Sequence, residues 1–459
     1  MIAAKKLEYT RDLPVRKSVD VFVAGGGPAG VAAAVTAARA GASVFLAESL
    51  GAFGGMGTSA GIPFICRPTD GIHFLCGGIG REIYDRLFRD GGAGPEMKYD
   101  QFPPEIGGFI YNPEAMKRVY DAIVSDSGVD FTFHTSLIDL RKEGGRVTHA
   151  VCAAKSGLFA IEAAIFIDAT GDGDLAAMAG APFEFGDEEN LAQAATLCSL
   201  WSGIDWSRKE IWKDGAALDQ AFRDGVFSVP DPGLPGILHT VADSGWGNVG
   251  HVYGIDAGDE RTVTRGMIQG RKLALEYERY YRNYVPGCEN AHMLWTAQTL
   301  GIRESRRILG EYLLHVEDFV RQAVFDDEIG RYGYPIDLHG TRPPADGKTD
   351  SGTRLFDRYQ YRNPGESYGI PYRVLLPKHL ENVLTAGRCV STDRYMHGSL
   401  RVQAGCFITG QAAGMAAALS AARQVTPRQL PVGDLQDALL GIGAYLPNRR
   451  KQKETLPCA

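Results

Sequence analysis

A run of three glycines between an apolar stretch and an alanine-rich stretch constrains the fold of this chain more than any other feature. The segment "SVDVFVAGGGPAGVAAAVTAARAGASVFLAES" (18–49) predicts a buried parallel strand, a tight turn, a helix and a second strand. Its glycines Gly25, Gly27 and Gly30 fit the pattern G-x-G-x-x-G. In that pattern the first glycine allows the turn, the second lets the backbone approach a pyrophosphate, and the third lets the helix pack on the strand. The segment therefore predicts an α/β dinucleotide-binding domain of the Rossmann type.

The residues around this turn indicate how the ligand is held. The helix start at Pro28 and Ala29 directs its positive end at the phosphates. Glu48 stands at the tip of the second strand, 18 residues after Gly30, where a carboxylate accepts hydrogen bonds from a ribose diol. The alternative interpretation is a glycine turn in an α/β fold that holds no ligand.

Length and composition limit the class of protein. The 459 residues are enough for two or three domains, and 44 % hydrophobic with 22 % charged residues is typical of a soluble globular protein. A net charge of −7 argues against nucleic-acid binding, which needs a basic face. The chain has neither a signal-peptide pattern nor an uninterrupted apolar stretch of about 18 residues, so we expect a cytoplasmic protein with no membrane partner.

The cysteine and histidine patterns give no sign of a metal. None of the eight cysteines forms a C-x-x-C pair, and none of the ten histidines has the spacing of a metal-binding motif. We therefore expect no zinc or iron–sulfur site, and buried thiols in a reducing compartment.

Three later segments bear on which dinucleotide is bound. The first, "SLGAFGGMGTSAG" (49–61), has a glycine pair that lets the backbone lie against a bulky ligand. The second, 164–186, is a strand that ends in a glycine–aspartate turn, and the third, 381–422, is a strand, a glycine–arginine turn and a helix with small residues on its packing face. The residues at these turns are Gly54, Gly55, Met56, Gly171, Asp172, Gly387 and Arg388.

Together these features resemble the soluble FAD-dependent oxidoreductases, whose FAD domain is of the glutathione-reductase type. The resemblance covers nearly the whole chain, and it includes a distant similarity to the flavoproteins of fumarate reductase and succinate dehydrogenase. The matching stretches are "EYTRDLPVRKSVDVFVAGGGPAG", "YNPEAMKRVYDAIVSDSGVDFTFHTSLIDL", "IDATGDGDLAAMAGAPFEFG", "GIRESRRILGEY", "YGYPIDLH", "YGIPYRVLLP" and "GQAAGMAAAL".

The resemblance implies FAD, with the N-terminus of the final helix at the flavin pyrimidine ring, where its dipole stabilises anionic reduced flavin. It implies contact of Leu137 with the adenine and of Asp172 with the ribitol or phosphates, whereas Arg388 stands where relatives often have an acid. Covalent attachment often uses a histidine in the region of 49–61, which has none, so we expect noncovalent FAD. The residues assigned to FAD are Gly25, Gly27, Pro28, Ala29, Gly30, Glu48, Gly54, Gly55, Met56, Leu137, Gly171, Asp172, Gly387, Arg388, Gly405, Cys406 and Phe407.

The expected fold class is thus α/β, a Rossmann-like FAD-binding domain with an inserted α+β cap that forms the substrate pocket. A second G-x-G-x-x-G after a strand is not evident, so we do not expect a separate NAD(P)H domain. The electron acceptor or donor therefore stays open. Whether the protein is a homo-oligomer also stays open. The expected divisions are 1–180 and 350–430 for the FAD domain, 181–349 for the cap and 431–459 for a tail.

The candidate catalytic residues flank the expected position of the flavin. In "YMHGSLRV" (395–402), His397 and Arg401 have the spacing of the His-Gly-x-x-Arg segment of the fumarate reductase group, where the arginine binds a substrate carboxylate. By this resemblance Arg401 is an anion clamp and His397 a polar contact or proton donor. The alternatives are an ion pair that holds the cap for Arg401, and a histidine bonded to a loop carbonyl for His397.

Two further candidates lie elsewhere in the chain. Arg303 in "GIRESRR" (301–307) would reach the pocket from one face of a predicted helix, or would belong to an ion-paired helix surface. Tyr372 in "YGIPYR" (368–373) would face the pocket or belong to a structural turn. Cys406 has no partner cysteine, which favours a small buried residue over a reactive thiol.

These observations predict a flavoenzyme that transfers a hydride between flavin N5 and a small oxygen-rich or anionic substrate. One alternative is a flavin monooxygenase or halogenase, which shares the glycine clamp. Another is an FAD-binding electron-transfer subunit that has no substrate of its own.

Overall fold

A computed structural model describes residues 7–101, 107–209, 215–229, 231, 236–343 and 351–449 of the chain. The strands in these ranges are β1 (Val15–Ala24), β2 (Val44–Ala47), β3 (Phe64–Cys66), β4 (Gly108–Ile110), β5 (Asp130–Thr132), β6 (Ser136–Glu143), β7 (Arg146–Ala154), β8 (Gly157–Asp168), β9 (Phe183–Phe185), β10 (Ser199–Ser202), β11 (Gly236–Val241), β12 (Ser244–Asn248), β13 (His292–Thr296), β14 (Arg306–Ile308), β15 (Glu328–Tyr332), β16 (Tyr368–Pro371) and β17 (Val383–Thr385). The helices are α1 (Pro28–Arg39), α2 (Ile79–Arg89), α3 (Pro113–Asp126), α4 (Asp174–Met178), α5 (Gly215–Arg223), α6 (Glu260–Tyr284), α7 (Val316–Val320), α8 (Ser351–Arg358), α9 (Arg394–Leu400), α10 (Gln403–Arg423) and α11 (Val432–Gly441).

A seven-stranded sheet forms the centre of the molecule. Its strands run in the order β5-β2-β1-β8-β7-β6, and β17 pairs with the last part of β8. The pairs β5–β2, β2–β1, β1–β8 and β8–β17 are parallel, whereas β6, β7 and the first part of β8 form an antiparallel meander. The mixed α/β fold with a parallel sheet, predicted from the glycine segment, is confirmed.

The carboxyl ends of the parallel strands lie in register, and this places the site. Ala24 at the end of β1 is paired with Ala47 and Asp168, and these two are paired with Thr132 and Thr385 in turn. The segments after all five strands therefore leave the sheet along one edge. Ligands of open α/β sheets bind at that edge.

Helix α10 packs directly on α1 because both present small residues to each other. A Cβ atom at Gly410 would overlap the carbonyl oxygen of Ala29, and one at Gly414 would overlap that of Ala33. The two backbones therefore approach more closely than side chains would allow. This contact holds the start of α10 beside the start of α1, at the carboxyl edge of the sheet.

We expect Gly414→Ala to lower the stability of the protein by about 3 kcal/mol, because the added methyl group forces α10 away from α1. The thermal unfolding midpoint, followed by circular dichroism, measures the effect. Gly441→Ala is the matched control, because a Cβ atom there meets nothing within 4 Å. An unchanged midpoint for Gly414→Ala would show that the contact between α1 and α10 has room for an added methyl group.

A second, smaller sheet lies in the middle of the chain. It is antiparallel, with the order β11-β12-β10-β13, and its strands and α6 enclose their own hydrophobic cluster around Trp201, Tyr280 and Tyr281. The chain has returned to the central sheet by Ile308, which packs in the cluster of Phe166. Residues 308–338 thus pack with the nucleotide-binding part, although the sequence prediction put them in the insert.

The prediction of a helix over 301–307 is wrong. The segment contains irregular backbone and the start of β14. Its charged side chains Arg303, Glu304 and Arg307 are all buried, whereas an amphipathic helix would expose them. Their buried hydrogen bonds determine the conformation, so tertiary contacts override the helical pattern.

Among the described helices, α10 alone is long and apolar enough to cross a membrane. However, 89 % of its most apolar stretch is buried inside the fold. Its composition is therefore that of a core helix, in agreement with its packing on α1.

Candidate cofactor and substrate site

A cavity of about 1480 Å³ opens at the carboxyl edge of the central sheet. It extends from the glycine turn after β1, past the end of β2 and the start of β6, to the N-terminus of α10 and the small sheet. Pockets for drug-sized ligands typically measure about 300–1,000 Å³. The cavity is therefore large enough for a dinucleotide together with a small substrate.

The three glycines of the turn have the separate roles that their spacing predicts. Gly25 has a φ of +93° and lies against the backbone of Ala169, and a Cβ atom at Gly30 would overlap the carbonyl oxygen of Gly25. A Cβ atom at Gly27, in contrast, would meet no protein atom within 4 Å, and Gly27 lines the cavity. The open space beside Gly27 and the adjacent N-terminus of α1 form a cradle that fits a pyrophosphate.

Glu48 connects the end of β2 to this cradle. Its carboxylate accepts hydrogen bonds of 2.6 Å from the backbone N–H groups of Gly26 and Leu50, and it lines the cavity. Burial raises the pKa of Glu48, while these N–H groups act in the opposite direction. The carboxylate is thus fixed where a ribose diol beside the pyrophosphate would donate to it.

Arg388 organises the loop after β8 and does not point freely at the ligand. It pairs with Asp172 at 2.6 Å and donates to the carbonyl oxygens of Gly171 and Ile302 at 2.9 and 2.6 Å. Asp168, at the end of β8, accepts from Thr170 and Ala176 and so shapes the same turn. Arg388 and Asp172 both line the cavity as a neutral pair.

The N-terminus of α10 forms the far end of the cofactor region. Its N-cap residue, Val402, provides no side-chain capping bond, so the positive end of the helix faces the cavity. The neighbouring Gln403, which the sequence analysis did not select, is held by the carbonyl oxygens of Ile62 and Phe64 and by the Tyr111 hydroxyl. This arrangement fits the pyrimidine end of a flavin.

The structure brings most of the residues assigned to FAD to the cavity wall, and their contacts with FAD stay predictions. Those on the wall are Gly25, Gly27, Pro28, Ala29, Glu48, Gly55, Met56, Leu137, Gly171, Asp172, Gly387, Arg388 and Cys406. The other four do not line the cavity: Gly30 packs against Gly25, Gly54 against Thr58 and Tyr120, Gly405 against Leu400, and Phe407 in the main core. Their contacts with FAD also stay predictions. Burial raises the pKa of the Cys406 thiol to about 12, in agreement with an unreactive residue.

Arg303 lines the cavity and is 5 % exposed. It donates to the carbonyl oxygen of Ala194 at 2.8 Å, to Thr196 Oγ1 at 2.9 Å and to Asn248 Oδ1 at 3.3 Å. All three acceptors are neutral, and among the described residues no carboxylate lies within 4 Å of the guanidinium. Burial, together with repulsion by Arg401, lowers the pKa of Arg303 to about 10. It is a buried cation with no carboxylate in direct contact among the described residues, although Asp337 and Asp231 lie near enough to favour its charged form.

Arg401 lies close to Arg303 but is already paired. Its Nη2 donates to the carbonyl oxygen of Asp337 at 3.0 Å and to Asp337 Oδ2 at 3.2 Å. Burial alone would raise the pKa of Asp337, but His339, Arg401 and Arg303 together hold it below its usual range. Arg401 and Asp337 both line the cavity, so the clamp predicted at Arg401 is an ion pair at the wall.

A chain of titratable residues leads away from this ion pair. His339 lies beside Asp337, with Nε2 3.3 Å from Oδ1, and its Nδ1 is 2.9 Å from Nε2 of His251. His251 Nδ1 is in turn 2.5 Å from Asp231 Oδ2, which also accepts from the Tyr253 hydroxyl. His339 lines the cavity, whereas His251 and Asp231 are buried behind it. Asp337 and His339 belong to the stretch "YGYPIDLH" (332–339), which resembles the family. Neither residue was among the predicted catalytic residues.

The predictions for His397 and Tyr372 are corrected. His397 is buried behind the cavity wall, and neither ring nitrogen has a hydrogen-bond partner among the described residues. Burial and Arg401 lower its pKa well below the usual value, so it is neutral. Tyr372 is buried away from the cavity, and its hydroxyl donates to the carbonyl oxygen of Pro427. Neither side chain reaches the pocket directly.

One group of side chains in the described part of the chain has the geometry to hold a metal ion, namely His315, Glu317 and Asp393. The first two are exposed, and both carboxylate oxygens of Asp393 already accept backbone N–H groups, from Met396 and Val316. None of these three residues lines the cavity.

A parallel sheet, a glycine cradle at its carboxyl edge and an uncapped helix end at the other side of one long cavity define an α/β dinucleotide-binding protein. Comparison with family models identifies the family of dinucleotide-binding proteins to which the chain belongs. The chain belongs to the FAD-dependent oxidoreductase family, whose model, described as "FAD dependent oxidoreductase", matches residues 20–439. The protein is therefore an enzyme, an oxidoreductase with FAD as its cofactor.

Individual proteins give only distant similarities. No curated protein matches the sequence. Similar solved structures include p-nitrophenol 4-monooxygenase PnpA from Pseudomonas putida DLL-E4, with 11 % identity, a TM-score of 0.45 and coverage of 96 % of this chain and 90 % of that chain. The flavin-dependent brominase Bmp2 has 15 % identity, a TM-score of 0.45 and coverage of 92 % and 84 %. A geranylgeranyl bacteriochlorophyll reductase-like protein from Thermoplasma acidophilum has 13 % identity and a TM-score of 0.41, with coverage of 95 % of this chain and 99 % of that chain. These likenesses are too distant to indicate a reaction.

Proposed function

We propose that this enzyme transfers a hydride between noncovalently bound FAD and a small organic substrate that carries a carboxylate or a similar anionic group. The observation that carries the proposal is the buried guanidinium of Arg303 in the cavity wall. FAD, when bound, supplies a two-electron acceptor or donor at N5. The protein has to bind the substrate, exclude water and move the accompanying proton.

The environment of Arg303 favours an anionic substrate. A buried charge without an opposite charge in direct contact is costly, and neutral hydrogen-bond acceptors together with the more distant carboxylates of Asp337 and Asp231 recover only part of this cost. Arg401 adds a second positive charge nearby, although Asp337 offsets it. An anion that enters the cavity would therefore gain a charge-assisted, bidentate partner in Arg303.

The position of the two arginines supports a substrate pocket at the flavin end. Arg401 directly precedes Val402 and Gln403, which begin α10, and Arg303 is bonded to Asn248 at the end of β12 in the small sheet. The small sheet thus contributes to the pocket through Asn248 and Leu238. A substrate held by Arg303 would lie between the central sheet and the small sheet.

Anaerobic reduction of the yellow protein tests this proposal. We expect at least one hydroxy acid in a panel of small carboxylates to bleach the flavin without oxygen or NADPH, because the substrate itself supplies the hydride. Matched neutral compounds, the corresponding amides, should leave the spectrum unchanged.

The same experiment separates the alternatives. Bleaching by NADPH alone, with oxygen then consumed in the presence of an organic substrate, would contradict the proposal in favour of a monooxygenase or halogenase. Reduction only by a co-purified protein would instead identify an electron-transfer subunit.

A further inference from the structure

Asn248 is the last residue of β12 and lies beside Arg303 in the cavity wall. Its Oδ1 accepts from Arg303 Nη2 at 3.3 Å and from the thiol of Cys198 at 3.8 Å. A guanidinium group has N–H donors and no acceptor, so the side of the amide that faces Arg303 is its oxygen. Because both contacts are made to this oxygen, the orientation of the side-chain amide is determined.

The nitrogen side of the same amide has no partner in the described protein. Nδ2 of Asn248 makes no hydrogen bond to a described residue, and it is not among the fully buried side-chain atoms that lack one. Since Asn248 lines the cavity, its NH2 group is open to that cavity. The amide therefore presents two unused N–H groups at the substrate end.

Arg303 also keeps unused donors. Of the five N–H groups of a guanidinium, Nη1 donates two to Ala194 and Thr196, and Nη2 donates one to Asn248. The N–H of Nε and the second N–H of Nη2 have no acceptor among the described residues, and Nε is not one of the fully buried unpartnered atoms. Asn248 and Arg303 together thus offer four N–H groups. A carboxylate has about four lone-pair sites to receive them.

We propose that Asn248 is a substrate-binding residue that donates from Nδ2 to one oxygen of a substrate carboxylate, while Arg303 donates to the other oxygen. This inference rests on the proposed function, and it narrows the anionic group to a carboxylate whose two oxygens are both free. An amidated carboxylate would turn its own N–H groups toward those of Asn248 or Arg303. Asn248 determines specificity because donors left unpaired in a buried site cost affinity.

The neutral charge of Asn248 is essential to this role. A carboxylate in its place would keep an oxygen acceptor for Arg303 Nη2, but it would neutralise the guanidinium from within the protein. It would also offer no N–H group to the cavity. An amide at this position holds Arg303 through its oxygen and leaves the positive charge available to an anion from solution.

Binding of malonate to the FAD-loaded enzyme, measured by calorimetry, tests the inference. We expect Asn248→Asp to bind malonate at least about 100-fold more weakly than the wild type, since the change removes two donors and adds a negative charge. Asn290→Asp is the matched control, because Asn290 precedes β13 of the same small sheet but is exposed and lies outside the cavity wall. It should bind malonate within about twofold of the wild type.

A second measurement uses the unchanged chain, so it decides the question even where Asn248→Asp does not fold. In the NMR spectrum of asparagine-labelled, FAD-loaded wild type, the Nδ2 resonances of Asn248 should shift when malonate is added, because its N–H groups gain a charged acceptor. The side-chain resonances of Asn290 should stay in place.

The outcomes separate the two proposals. Malonate binding that leaves the Nδ2 resonances of Asn248 unmoved, or that Asn248→Asp retains within about threefold, would overturn the role of Asn248. The anion site at Arg303 and the proposed function would then still stand. No malonate binding by the wild type would instead overturn the anion site on which both proposals rest.

Discussion

Gly27→Val is expected to yield a folded but colourless protein. The backbone at Gly27 has φ −67° and ψ −176°, an extended conformation that valine adopts without strain. Its Cβ atom would meet no protein atom within 4 Å, so the valine side chain would project into the cavity where the pyrophosphate is expected. Loss of two or more charge-assisted hydrogen bonds to the phosphates predicts at least about 100-fold weaker binding of FAD.

The measurement is a fluorescence titration of the apoprotein with FAD, combined with thermal unfolding of the apoprotein. Gly441→Val is the matched control, because Gly441 also has open space around its Cβ position but lies outside the cavity. Gly30→Val gives the opposite contrast: its side chain would overlap the carbonyl oxygen of Gly25, so folding itself should fail. Full flavin content in Gly27→Val would contradict the position assigned to the pyrophosphate.

Arg303→Met is expected to keep FAD but to lose at least about 100-fold in kcat/KM for the anionic substrate, because a buried charge pair and its hydrogen bonds are removed. Methionine fills a similar volume and tolerates an apolar environment. The neutral acceptors Ala194, Thr196 and Asn248 would lose one donor each, so a modest fall in stability accompanies the change. The rate of anaerobic flavin reduction as a function of substrate concentration measures the effect.

The matched control is Arg394→Met. Arg394 pairs with Glu304, near Arg303 in sequence, and does not line the cavity. The substrate should therefore reduce the FAD of Arg394→Met at the wild-type rate. Malonate affinity gives an independent measure, since Arg303→Met should lose it while Arg394→Met keeps it. Unchanged flavin reduction by the substrate in Arg303→Met would remove this residue from the mechanism and with it the argument for an anion.

The sequence was sufficient for the cofactor cradle because all its parts are local. Within 18–49 the strand, the turn, the helix and the second strand follow one another, and each glycine has a steric reason that its spacing alone predicts. The small residues of α10 likewise predicted a close contact, which Gly410 and Gly414 make with α1. Patterns of this kind need no knowledge of distant parts of the chain.

Tertiary structure alone decided which polar side chains share the pocket. Arg303 is bonded to Ala194, 109 positions earlier, and His339 to His251, 88 positions earlier, so no local spacing could reveal either group. For Tyr372 the sequence left a pocket residue and a structural turn as alternatives, and long-range packing turned its hydroxyl to Pro427. In the segment 301–307 a charged pattern suited a surface helix, but burial of Arg303, Glu304 and Arg307 required partners from elsewhere.

The amino-acid sequence by itself thus determined the dinucleotide-binding fold, since its strand, tight turn and helix depend on the residues of one short segment. The resemblance of nearly the whole chain to the FAD-dependent oxidoreductases implied the cofactor. The tertiary structure decided the substrate end, where Arg303, Asp337 and His339 come together. The physical reason is that a buried charge is tolerated only among particular partners, and the fold brings those partners from separate parts of the chain.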